Sequence, residues 1–153
     1  MTTSPQLSLL GPLLVGLAAI SCTIIIHGLI LGLIIAEVRR DLRRRRFGVG
    51  FWKDLIFVIN ATLLALAGHL VEIALWALAF YGCGEFSDFG AAFYHSAVNY
   101  TTLGDSAVTM SLRWRLLGPL EASDGMLMFG ISTAIIFAVV QRLIQERFGP
   151  SNR

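Results

Sequence analysis

The chain has 153 residues, of which 56% are apolar and only 14% charged, with a net charge of +2. That is too little charge to solvate the surface of an ordinary soluble domain. Three apolar runs, 7–36, 55–81 and 122–143, each reach the roughly 20 residues that cross a bilayer. They exclude a soluble enzyme and predict an all-α membrane protein with three transmembrane helices per subunit and no catalytic residues.

The first run, within 1–36, is an N-terminal transmembrane helix with Gly11 and Pro12 near its start, where proline costs no helical hydrogen bond. Residues 19–22 faintly resemble a lipoprotein cleavage box, but no basic residue precedes them and the apolar run continues, so the segment reads as a retained helix. Cys22 and Cys83 lie at different depths and read as free thiols. Seven of the twelve basic residues fall between Arg39 and Lys53, and Arg142, Arg147 and Arg153 follow the last run. The positive-inside rule places both clusters in the cytoplasm, which puts the N-terminus outside and the C-terminus inside, in a bacterial inner (plasma) membrane. Segment 37–52 mixes Arg39, Arg40, Arg43, Arg44, Arg45 and Arg46 with Phe47, Phe51 and Trp52. It is either an interfacial stretch on anionic lipid or a charged cytosolic turn.

The unit 53–143 begins with the second span, which carries Asn60, His69 and Glu72; the last two are three apart and share a helix face. Two glycines, Gly82 and Gly84, then end it. Ser87 and Asp88 are capping residues for a short helix over 89–99, too short to span. Irregular residues follow it directly, and the third span comes only after Arg113-Trp114-Arg115. A short helix plus irregular backbone between two spans predicts a re-entrant loop, which is tolerated at membrane depth where it is buried or lines water. Residues 144–153 form a short cytoplasmic tail.

Span two, the short helix, Thr101-Thr102-Leu103-Gly104-Asp105 and the glycine-bearing sequence Phe129-Gly130-Ile131-Ser132 together resemble the pore module of the tetrameric potassium-channel superfamily. The resemblance implies a homotetramer in which the outer helix, pore helix and inner helix of four subunits surround one axis. It implies an ion-conducting filter at Thr101, Thr102, Leu103, Gly104, Asp105 and Ser106, transiently coordinating potassium or sodium, with no other cofactor. Potassium-selective members continue Gly-Tyr-Gly-Asp where this chain has Gly104-Asp105-Ser106-Ala107. That departure is similar to non-selective sodium/potassium channels, and implies weak selectivity with a calcium or magnesium site at Asp105. Gly125 and Gly130 are hinge candidates, or positions of close helix packing.

Glu72 either supports the filter through Tyr94, Tyr100 or a backbone amide, or binds protons. His27 and His95 read as packed histidines, and no ligand spacing predicts a structural metal. Glu85, Asp88, Glu121 and Asp124 are read toward the outer mouth, as cation attractors or as caps and ion pairs with Arg113 and Arg115. Two rivals to the channel remain: a small proton-coupled membrane transporter using Glu72, and a non-conducting channel-like regulatory subunit.

Overall fold

A computed structural model describes residues 9–43, 50–104 and 110–148. Among them are four helices: α1 (Leu10–Arg43), α2 (Phe51–Gly82), α3 (Phe89–Tyr100) and α4 (Leu117–Phe148). Three of these, α1, α2 and α4, are long and apolar enough to cross a membrane, and α3, at about 1.5 Å per residue, is not. The protein is an all-α membrane protein.

Two boundaries differ from the sequence expectation. Helix α1 runs past residue 36 to Arg43, because arginines in a last turn complement the exposed carbonyls there. Helix α4 begins at Leu117 rather than near residue 122, because Gly118 and Pro119 fall in its first turn, where proline is tolerated. The second difference moves Glu121 into the helix, and both it and Asp124, already inside the third apolar run, are fully buried rather than at an open mouth.

Helix α3 packs between α2 and α4, while α1 packs on α2 and α4 without touching α3. At one end of the bundle Trp76, Phe80, Tyr100 and Leu117 form a core with Ala19, Ile73 and Ala92. At the other end Ile34 of α1 meets Ala61 and Ala65 of α2, small residues that let two helices approach closely. The outward faces carry Leu14, Ile25, Leu29, Leu66 and Leu78, all exposed, as a lipid-facing surface requires.

Helices α2 and α3 end in the same motif. After α2, Gly84 N–H donates to Tyr81 O (3.0 Å) and Glu85 N–H to Phe80 O (3.2 Å), with Gly84 left-handed at φ +75°. After α3, Thr102 N–H donates to Asn99 O (2.9 Å) and Leu103 N–H to Val98 O (3.0 Å), with Thr102 left-handed at φ +59°. Both are Schellman caps. The second places a β-branched residue where glycine normally sits.

Candidate functional site

The end of α3 is built from both directions. Asp88 caps its start, accepting from Ala91 N–H at 2.9 Å, as sequence position suggests. At its far end Thr101, Thr102 and Leu103 commit three successive N–H groups back to α3 carbonyls, and the Thr101 hydroxyl donates to Ala97 O at 2.7 Å. Gly104 is left-handed again at φ +66°. Thr101, Thr102, Leu103 and Gly104 are all exposed on the single chain, Leu103 at 75%. Asp105 and Ser106 lie outside the described residues.

Directly before this exposed turn comes Tyr100, which is completely buried. Its hydroxyl donates to Glu72 Oε2 in a short hydrogen bond. The same carboxylate faces His69 Nδ1 at 3.1 Å and, through Oε1, His27 Nδ1 at 2.9 Å. The far nitrogens of both rings converge on Ser132 Oγ of α4, His69 Nε2 at 3.1 Å and His27 Nε2 at 3.3 Å. Phe129 closes the side, its ring centroid 4.4 Å from that of His69. Polar groups from all four helices therefore meet in one buried cluster, in an environment where each unmade hydrogen bond would be costly.

A second buried layer lies toward the start of α4. Asp124 Oδ2 accepts from Thr23 Oγ1 (2.8 Å) and Trp76 Nε1 (2.9 Å). Ser96 of α3 bonds to Ile73 O at 2.8 Å and to Glu121 Oε1 at 2.5 Å. Between the layers, a Cβ on Gly125 would overlap the Tyr100 carbonyl oxygen. Only glycine lets α4 lie this close to the α3 terminus. That gives Gly125 a packing reason, whereas Gly130 faces open space and α4 continues unbroken through both.

Of the tyrosines considered for Glu72, Tyr100 is the one against it; Tyr94 is 58% exposed. Glu85 accepts from Ser111 N–H (2.7 Å) and Ser111 Oγ (2.6 Å), joining the connection after α2 to the loop before α4. Arg113 stacks over Trp114 at 5.1 Å. His95 is packed, with Phe86 at 4.9 Å between centroids and Asn99 Nδ2 2.9 Å from its Nε2. Arg39, Arg40 and Arg43 are exposed at the end of α1, and Arg44, Arg45 and Arg46 lie outside the described residues. Sequence reasoning missed His27, Ser132, Thr23 and Trp76. The signal was present in His27, an imidazole in the middle of an apolar span, but its partner lies 45 residues away.

A family model described as "Ion channel" matches residues 68–142, from the middle of α2 to the last turns of α4. Comparison with curated proteins finds no match, and comparison with solved structures finds none.

Proposed function

Because residues 68–142 belong to the ion-channel family of the two-transmembrane potassium-channel pore type, we propose that four copies of this chain assemble around an axis and conduct monovalent cations through the turn that follows α3. The observation that carries this reading is the geometry of that turn. Its N–H groups are committed inward to α3, and its residues alternate in hand, Thr101 right-handed and Thr102 and Gly104 left-handed. Such alternation turns peptide carbonyls toward one side, where a ring of them replaces an ion's hydration shell. One chain supplies one quarter of a ring, so its exposure on the single chain is what assembly requires.

In this reading Thr101, Thr102, Leu103 and Gly104 form the inner ion sites, and Glu72 holds them in place through Tyr100. The sequence Gly104-Asp105-Ser106, where potassium-selective members have Gly-Tyr-Gly, favours weak discrimination between sodium and potassium and calcium or magnesium binding at Asp105. The N-terminus is outside, and Arg39, Arg40 and Arg43, with Arg44 to Arg46, rest on anionic lipid at the inner leaflet. Reversal potentials in mixed sodium and potassium solutions, recorded with protein whose mass in detergent is that of a tetramer, test the proposal. Near-equal permeability is expected. A stable monomer without current would defeat it.

A further inference from the structure

The cluster joining Glu72, His27, Ser132 and His69 is a closed ring of four links: Glu72 Oε1 to His27 Nδ1, His27 Nε2 to Ser132 Oγ, Ser132 Oγ to His69 Nε2, and His69 Nδ1 to Glu72 Oε2. Each link needs one proton between its two heavy atoms. A carboxylate, two neutral imidazoles and one hydroxyl bring three. If both rings donate from Nδ1 to Glu72, both Nε2 atoms are acceptors, and the single Ser132 proton can serve one of them. With the Tyr100 proton committed to Glu72 Oε2, one of the two Nε2 atoms is then left without a donor among these buried groups.

A divalent ion on the Nδ1 side removes the shortfall. With His27 Nδ1 and His69 Nδ1 bound to metal, each Nε2 becomes an N–H donor, and the two lone pairs of Ser132 Oγ accept both. Metal-bound imidazoles are ordinarily held by such a bond from the far nitrogen. One donor atom each from His27, His69 and Glu72 can be chosen within 4.8 Å of one another, all three residues being buried. Tyr100 Oη, 3.1 Å from His69 Nδ1 and bonded to Glu72 Oε2, completes a set of four. Glu72 faces one imidazole through each of its oxygens, Oε1 at 2.9 Å from His27 Nδ1 and Oε2 at 3.1 Å from His69 Nδ1, each distance a few tenths below the edge of about 3.3 Å that zinc bonds of about 2.0–2.1 Å imply. The Glu72 carboxylate supplies negative charge to the ion, and Tyr100 Oη supplies a further oxygen donor beside it.

We infer that His27, His69, Glu72 and Tyr100 form a four-coordinate binding site for a divalent transition ion of the zinc type, with Ser132 as the shared acceptor behind both histidines. Two imidazoles with a carboxylate and a phenol oxygen suit zinc and disfavour calcium or magnesium, which take oxygen donors. The site is separate from the proposed filter coordination, and it ties α1 and α2 to the residue that precedes the filter turn.

The test uses the full chain purified in detergent, loaded with cobalt(II) or zinc(II) and freed of excess ion by gel filtration. The expected result is one retained ion per subunit by elemental mass spectrometry, with the intense visible absorption of four-coordinate cobalt. His27→Gln and His69→Gln should lose both, and Ser132→Ala, which leaves every ligand in place, should weaken binding about 10–100-fold. Zinc in excess should also raise the melting temperature of the unaltered protein, a readout that stands if the glutamine variants do not fold. Unaltered protein that retains no ion, shows no cobalt band and melts at the same temperature with and without zinc would overturn the inference and leave the cluster held by hydrogen bonds alone. Retention undiminished in both histidine variants would overturn it equally, by placing the ion elsewhere.

Discussion

Helices α2 and α3 close with the same pair of hydrogen bonds, yet Gly84 occupies the left-handed position after α2 and Thr102 occupies it after α3. Glycine enters that region freely, whereas a β-branched residue does so at a cost of about 1–2 kcal/mol. The glycine turn needs nothing else to hold it. The threonine turn is over-determined: Tyr100 before it is bonded to Glu72, Gly125 presses α4 against the Tyr100 carbonyl, and the Thr101 hydroxyl returns to Ala97. Among the described residues the left-handed non-glycine position is Thr102, and it is supported from behind by buried contacts.

Removing the support should cost most. Glu72→Leu strands His27, His69 and Tyr100 in a buried site, an expected loss of about 1–3 kcal/mol for each group left unsatisfied, and current and assembly should both fail in bilayer recording and gel filtration. Glu72→Gln keeps the shape and part of the bonding, and should retain assembly. If the leucine variant conducted normally, the threonine turn would be self-supporting and the contrast with α2 would vanish.

Gly125→Ala comes next. Its methyl overlaps backbone rather than a side-chain tip, so α4 must move away from α3; overpacking costs about 1–3 kcal/mol. Conduction should fall more than the melting temperature, whereas Gly130→Ala, with open space around its Cβ position, should leave both unchanged.

Exchanging the turn residues sharpens the comparison. Thr102→Gly should relieve strain and raise stability by up to about 1 kcal/mol, while loosening the turn and changing the sodium-to-potassium permeability ratio. Gly84→Ala should lower stability by about 1 kcal/mol and leave permeation alone. Equal effects of the two changes on permeation would mean that the ends of α2 and α3 are functionally alike.

The smallest effect concerns Cys83, the residue before the glycine turn. Burial, followed by the nearby Glu85 carboxylate, pushes its thiol above the ordinary value, with Arg113 opposing. Below that raised value the thiolate fraction grows with pH, so labelling by an impermeant maleimide from outside should be slow at neutral pH and rise about tenfold per pH unit. Labelling that is fast and flat across neutral pH would show that the α2 end is more open than the α3 end is.

These helix ends also mark how far the sequence could be read. The three spans, the short α3 and its Asp88 cap were legible because apolar run length and capping chemistry are local signals. The start of α4 was not: Gly118 and Pro119 read as a connection, although in a first turn they are compatible with helix, so Glu121 was left outside the span; Asp124, inside it, was read at a mouth because nothing along the chain pairs it with Thr23 and Trp76. The left-handed Thr102 could not be anticipated, since threonine argues against that backbone region and only tertiary support permits it. His27 and Ser132 are joined across 105 residues, and no pattern along the chain pairs an imidazole in the first span with a hydroxyl in the last.

That separation has a consequence for biosynthesis. His27 reaches the bilayer with the first span, while Glu72, Asp124 and Ser132 have not yet been translated; the His27–Glu72 link spans 45 residues and the Thr23–Asp124 link 101. At roughly 5–20 residues per second, His27 waits some seconds for Glu72 of α2, while Thr23, bonded to Ile20 O of its own helix, waits longer for Asp124 of α4. A chain halted after α1 leaves His27 without Glu72, and one halted after α2 leaves Thr23 without Asp124.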